Sequence, residues 1–93
     1  MAALPDVIHN AAESRFEMTV DGHLSVAEYD LRGDRMVFTH TFVPPELRGR
    51  GIAEHLVLAG FRHAREHGYR IVPQCSYVAV LLARSPEFQD LAV

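Results

Sequence analysis

The hydrophobic pattern of this chain changes its period at Pro44 and Pro45. Before this proline pair, apolar and polar residues alternate, which is typical of half-buried β-strands. After it, apolar residues recur at steps of three and four, as they do on the buried face of a helix. The pattern therefore predicts strands in the first half of the chain and helices that pack on them in the second half.

Three strands are predicted before the proline pair, over residues 15–21, 23–31 and 35–43. An Asp-Gly pair follows the first of them and an Arg-Gly-Asp triplet follows the second, and both are typical of tight hairpin turns. The three strands should therefore form an antiparallel meander. A further short strand is predicted near residues 6–10, where a brief apolar run precedes a polar break.

The third predicted strand carries β-branched and aromatic residues on both of its faces. Strict alternation places one set of side chains on one face, Met36, Phe38, His40 and Phe42, and another set on the opposite face, Val37, Thr39, Thr41 and Val43. On this pattern we expect His40 to be half-buried and packed beside apolar side chains.

The second half of the chain predicts a helix, a strand and another helix. The first helix runs from Ile52 to a stop at Gly68, the strand covers residues 69–73, and the last helix ends before Ser85 and Pro86. A meander followed by an α-β-α segment gives an α+β, or mixed α/β, fold. Its central mixed sheet should have helices packed on it.

Length and charge limit the classes of partner. The length fits one domain, which we expect to span residues 1–93. Twelve acidic residues oppose nine basic ones, all of them arginine, and the net charge of −3 argues against nucleic-acid partners. No apolar run reaches membrane-helix length, and the first residues lack the basic start of a signal peptide. We therefore expect a cytoplasmic monomer without a membrane partner, whose single cysteine forms no internal disulfide.

A glycine-rich loop joins the third predicted strand to the first predicted helix, over residues 43–53. Gly49 and Gly51 would let an anion approach the backbone, the first amides of the helix would face it, and two arginines, Arg48 and Arg50, add positive charge. A helix start whose glycines serve only the turn explains the loop composition equally well. The loop alone leaves both interpretations open.

Three separated segments favour the anion site. Residues 42–53 contain the pattern R-x-x-G-x-A directly after an extended segment, residues 73–78 read Pro-Gln-Cys-Ser-Tyr-Val, and residues 85–88 read Ser-Pro-Glu-Phe. In this order, within residues 6–92, they resemble the short single-domain branch of the GCN5-related N-acetyltransferase (GNAT) superfamily. The resemblance implies a minimal GNAT-like fold.

The resemblance also implies a function. It implies an acetyl-CoA-dependent N-acetyltransferase that passes an acetyl group to a primary amine of unknown identity, either a small amine or a protein amine. Acetyl-CoA would bind as the acetyl donor, without a metal. Its pantetheine arm would pair with the strand end and its diphosphate with the loop, and the residues so assigned are Thr41, Phe42, Val43, Arg48, Gly49, Arg50, Gly51, Ile52 and Ala53.

Cys75 and His40 are the candidate catalytic residues. Cys75 precedes the last predicted helix, where the helix dipole lowers the pKa of a thiol, although a lone cysteine is also a common apolar filler. The resemblance places Cys75 near the acetyl thioester, as a nucleophile, an acid or a positioning group. His40 lies on the strand that would approach the donor and is a candidate base, with Glu28 on the preceding strand as a second one.

One departure from the superfamily pattern concerns the leaving group. Many members protonate the departing CoA thiolate with a tyrosine in the last helix, and that position falls near Ala83 in this chain. Cys75 or Tyr77 would then supply the proton, or the thiolate would leave unassisted. The departure also supports an alternative function, a non-catalytic acyl-CoA-binding module.

A histidine-rich stretch near the end of the first predicted helix matches a zinc-peptidase pattern. His63, Glu66 and His67 fit H-x-x-E-H, in which two histidines four residues apart bind the metal. His67 lies next to Gly68, at the predicted helix end, and no third ligand is evident. We therefore expect a solvated helix face here and no metal site.

Overall fold

The computed structural model describes residues 3–93 and confirms the predicted order of strands and helices. Its five strands are β1 (Ile8–Asn10), β2 (Arg15–Val20), β3 (His23–Arg32), β4 (Arg35–Phe42) and β5 (Arg70–Pro73), and its two α-helices are α1 (Ile52–His67) and α2 (Ser76–Ala83). Three short 3₁₀ helices, which the sequence patterns did not predict, cover Ala11–Glu13, Pro45–Leu47 and Pro86–Leu91.

The strands form one mixed sheet in the order β1-β2-β3-β4-β5. The pairs β1–β2, β2–β3 and β3–β4 are antiparallel, and the pair β4–β5 is parallel. A parallel pair needs a long crossover connection, which α1 supplies. This arrangement confirms the α+β class and the mixed sheet.

The hairpin between β2 and β3 shows why the meander forms. Asp21 and Gly22 both have positive φ, at 51° and 78°. Two such residues in a two-residue loop are typical of the turn whose twist matches that of the strands it joins. The aspartate-glycine pair therefore sets the register in which Val20 lies opposite His23.

One face of the sheet and both helices share a single hydrophobic core. The sheet contributes buried side chains from four strands, namely Phe16, Met18, Ala27, Tyr29, Met36, Phe38 and Ile71. The helices contribute Ile52, Leu56, Val57, Phe61, Ala64, Val78, Leu81 and Leu82. Within residues 3–93, neither helix is long and apolar enough to cross a membrane.

A β-bulge interrupts the pairing of β3 with β4. Glu28 lies opposite His40, whereas the next residue of β3, Tyr29, lies opposite Phe38. Thr39 is therefore an extra residue on β4, and its hydroxyl donates to the Glu28 carbonyl at 3.3 Å. Because side chains alternate along a strand, one extra residue exchanges the two faces beyond it.

The predicted faces of β4 are consequently wrong beyond Phe38. Thr41 lies opposite the buried Ala27 and shares the helix-covered face of the sheet. His40 and Phe42 point to the other face and are exposed, Phe42 at 45%. Strict alternation predicted that His40 packs among apolar side chains, and this prediction is wrong.

The prediction that the histidine-bearing face of α1 is solvated is wrong at His63. Its ring lies 4.4 Å from the His9 ring of β1 and 3.9 Å from the His67 ring, measured between centroids. His9 in turn stacks on Phe16 and makes a 2.5 Å hydrogen bond to the Tyr29 hydroxyl. Burial first, and then the nearby His67, lower the pKa of both His9 and His63. These rings attach the edge strand to the end of α1.

Candidate functional site

The first component of the candidate site is a free edge on β4. β5 accompanies β4 only as far as Phe38, which lies opposite Pro73. There the backbone N–H of Cys75 donates to the Phe38 carbonyl at 2.9 Å, and the chain turns away into α2. Within residues 3–93, no strand lies against the β5 side of residues 39–42. The end of β4 therefore offers backbone groups to an added extended chain.

The second component is the loop that connects this strand end to α1. Gly49 and Gly51 have φ values of 87° and 78°, a left-handed conformation that glycine adopts without strain. Leu47, which is 1% exposed, anchors the loop in the core. No side chain caps the amides at the start of α1, because the N-cap residue is Gly51. These amides are available to an anion.

A pocket of about 220 Å³ lies between this loop and the start of α2. Six of the nine residues that the resemblance assigned to acetyl-CoA line it, namely Val43, Arg48, Gly49, Gly51, Ile52 and Ala53. The Nε of Arg48 donates to the Val43 carbonyl at 3.0 Å, which holds this guanidinium beside the pocket. Arg50 instead approaches Asp21, with 3.5 Å between their charged groups, and lines a different cavity.

The third component is the half-buried thiol of Cys75, which lies directly before α2. Its sulfur is 3.6 Å from the hydroxyl oxygen of Thr41, on the free part of β4. Burial acts to raise the pKa of this thiol, but the backbone of Val78, the Thr41 hydroxyl and the backbone of Tyr77 favour the thiolate and lower the pKa overall. The thiol makes no capping hydrogen bond to α2, so the amides of this helix act at longer range. The thiolate is the reactive form of cysteine.

The two candidate catalytic residues lie on different faces of the sheet. Cys75 contacts Thr41 on the helix-covered face, whereas His40 is exposed on the opposite face, beside Glu28 of β3. The structure therefore brings Cys75 and Thr41 together but separates His40 from the thiol.

Two further side chains line the 220 Å³ pocket. Tyr77 of α2 closes one side, and burial together with the charge of Glu54 raises the pKa of its phenol, so it stays protonated. Glu54 also lines the pocket, together with the buried Leu47. Leu47 and Glu54 were not among the site residues predicted from the sequence. The third position of a helix faces the loop before it, and this was the available signal for Glu54.

The histidines near the end of α1 contact one another and their own helix. Among residues 3–93, no group of three or more His, Cys, Asp or Glu side chains is arranged to hold a metal ion. The His67 ring hydrogen-bonds to the His63 carbonyl at 3.0 Å, which directs it along its own helix.

Comparisons with known proteins agree with this fold. A family model described as GCN5-related N-acetyl-transferase matches residues 15–91. Protein NATD1 of Bos taurus is 32% identical over 83 residues, which cover 86% of this chain and 74% of the relative. Protein NATD1 of Mus musculus is 31% identical over 83 residues, with 86% and 76% covered. A GCN5-like protein of Staphylococcus aureus, studied by NMR and regarded as an N-acetyltransferase, superposes with a TM-score of 0.76 at 27% identity, covering 100% of this chain and 91% of that one.

Proposed function

The chain belongs to the GCN5-related N-acetyltransferase family, and on this premise we propose that it transfers an acetyl group from acetyl-CoA to a primary amine. One observation carries the proposal. The free edge of β4 continues from the contact between Cys75 and Thr41 to Val43, which lines the same pocket as the uncapped start of α1. From Thr39 to Val43 this edge spans about 13 Å at the rise of an extended strand.

The donor would lie along this edge. Its pantetheine arm carries two amides, which would pair with the free backbone groups of β4 as an added strand does. Its diphosphate would meet the amides of residues 49–53 and the guanidinium of Arg48. The acetyl thioester would then lie beside Cys75, whose sulfur contacts Thr41 on the free part of β4.

We propose that Cys75 is the nucleophile of a two-step transfer, and its lowered pKa supports this role. Its thiolate would attack the thioester carbonyl, forming acetyl-Cys75 and expelling the CoA thiolate, which takes a proton from the Tyr77 phenol or from water. A neutral primary amine would then attack acetyl-Cys75 and lose one proton to water, because His40 lies on the opposite face of the sheet. The Cys75 thiolate would leave, and the amide would be released.

Intact-mass spectrometry after incubation with acetyl-CoA tests this proposal. The chain contains no lysine, so a stable amine adduct is limited to the N-terminal amino group. We expect the wild-type protein to gain one acetyl group, which hydroxylamine removes because it is a thioester. We expect Cys75→Ala to gain none while its affinity for CoA in calorimetry stays within about twofold.

Controls separate the steps. His40→Ala should acquire the acetyl group and pass it to a panel of primary amines at the wild-type rate, because His40 lies on the opposite face of the sheet from Cys75. Slower transfer to the amine alone would instead indicate that His40 is the base. Binding of CoA with neither an adduct nor turnover would contradict the transferase proposal and indicate an acyl-CoA-binding module. Turnover without an adduct would contradict the role of Cys75 as nucleophile, and absence of CoA binding would contradict the proposed function altogether.

A further inference from the structure

Three arginines lie directly opposite one another across three strands of the sheet. Arg32, the last residue of β3, is opposite Arg35, the first residue of β4, and Arg35 is opposite Arg70, the first residue of β5. Met36 and Ile71, the next residues of β4 and β5, are buried in the core. Because side chains alternate along a strand, this arginine row lies on the face of the sheet that the helices leave uncovered.

The arginine row is unfavourable for the isolated protein. Like charges directly opposite each other destabilise a sheet, and neighbouring strands are only about 4.8 Å apart. All three arginines are exposed. Within residues 3–93, Arg32 is the only one of the three that forms an ion pair, with Asp30 at 3.3 Å, while Arg70 donates to the uncharged carbonyl of Ala92. A ligand of opposite charge would relieve this repulsion, and a local rule broken in this way is typical of a functional surface.

The arginine row lies far from the proposed reaction. Arg35 precedes Thr41 by six residues of β4, or about 20 Å of extended strand. Thr41 contacts Cys75 on the helix-covered face, whereas the arginine row lies on the other face. A partner bound to the row would therefore leave the donor site accessible.

The charges around the row argue against a long polyanion. The chain has a net charge of −3. Asp30 precedes the row by two residues on β3, and Asp34 lies in the turn between β3 and β4. A nucleic acid or an anionic membrane would extend past the row over these carboxylates, which repel it. The surface therefore fits a ligand whose negative charges are confined to the row itself.

The spacing of the arginine row matches one face of a helix. Three adjacent strands make the row about 10 Å long. Helix residues at i, i+4 and i+7 lie about 5–6 Å from one to the next and span about 10 Å, whereas three residues on one face of a strand span about 13 Å. We propose that the arginine row binds an acidic helix of a partner protein, with one carboxylate at each of these helix positions meeting one guanidinium. This inference goes beyond the proposed function and does not depend on it.

Calorimetry with two alanine-rich helical peptides tests the inference. The striped peptide carries glutamates at i, i+4 and i+7, and the control peptide has the same composition with its three glutamates distributed around the helix. An exposed ion pair corresponds to about two- to fivefold in affinity, so we expect about tenfold tighter binding of the striped peptide at low salt. The difference should shrink as salt is raised. Asp30→Asn removes the carboxylate that competes for Arg32 and should strengthen binding.

Arg35→Glu separates binding from folding. It replaces like-charged cross-strand neighbours by opposite ones, so it should abolish binding of the striped peptide and raise the Tm. Arg62→Ala is the matched control, because it removes an exposed arginine of α1 and should bind the peptide as the wild type does. Acetylation of Cys75 should be the same in all these variants, since none of them changes the donor site.

Three results would overturn the inference while leaving the transferase proposal intact. The first is equal affinity of the wild-type protein for the two peptides, or failure to bind either. The second is unchanged peptide binding by Arg35→Glu, or a lower Tm of this variant. The third is tighter binding of a DNA duplex or of phosphatidylserine vesicles than of the striped peptide, which would assign the row to another class of partner.

Discussion

The close packing of α1 against the sheet depends on Gly60. Replacing this residue by alanine should therefore destabilise the protein. A methyl group built at Gly60 would come within 2.6 Å and 2.9 Å of two ring carbons of Phe38, and within 3.3 Å of the Phe16 ring. Phe38 is fully buried and packs edge-on against Phe61 at 5.4 Å between centroids. Its ring is therefore enclosed by other side chains of the core.

Two opposing effects set the magnitude. Alanine is favoured over glycine inside a helix by about 1 kcal/mol. Overpacking a well-filled core costs about 1–3 kcal/mol, and contacts below 3.0 Å on an immobile ring favour the upper end of that range. Gly60→Ala should therefore lower the free energy of unfolding by about 2 kcal/mol. For a domain of this size, such a loss corresponds to a fall in Tm of about 8–16 °C.

Urea unfolding followed by circular dichroism measures this loss. The variant Gly60→Ala/Phe38→Leu shortens the obstructing side chain, so its loss of stability should be smaller than the sum of the two single losses. Gly68→Ala is a control, since a methyl group there meets no atom within 4 Å and only the backbone, at φ 72°, is strained. An increase in Tm for Gly60→Ala would show that α1 does not approach the sheet this closely.

Three further perturbations address the site and its surroundings. Thr41→Val removes the hydroxyl beside Cys75, so the pKa of the thiol should rise, which the pH dependence of iodoacetamide alkylation measures. Because the pKa values of His9 and His63 are lowered in the folded state, the unfolded chain takes up protons first as the pH falls through the ordinary histidine range near 6.5. The free energy of unfolding should therefore decrease with acidification in that range, and His63→Gln should flatten its slope. Leu47→Ala removes most of the buried side chain that anchors the loop and should lower the free energy of unfolding in urea by about 2–5 kcal/mol. The same variant should bind CoA more weakly in calorimetry.

Local patterns in the sequence predict the elements of this fold. Alternation before the proline pair and three- or four-residue steps after it depend only on which side chains face a core, so β2, β3, β4 and α1 follow from them. Gly51 and Gly68 bound α1, and both adopt the left-handed backbone that their residue type favours. The sequence alone also predicted the loop with its two arginines and the position of the thiol before α2. Both features depend only on residues that are adjacent in the chain.

Relations between distant segments depend on tertiary structure. The bulge at Thr39 arises from the pairing of two strands, and it exchanges the faces on which His40 and Thr41 lie, which no single-strand pattern encodes. The contact between Thr41 and Cys75 joins residues 34 positions apart, and it exists because β5 leaves β4 at Phe38. Side-chain periodicity reports burial one residue at a time, whereas strand register and the point at which two strands separate are set by the packing of the whole sheet. That packing brings together the thiol, its hydroxyl partner and the free strand edge.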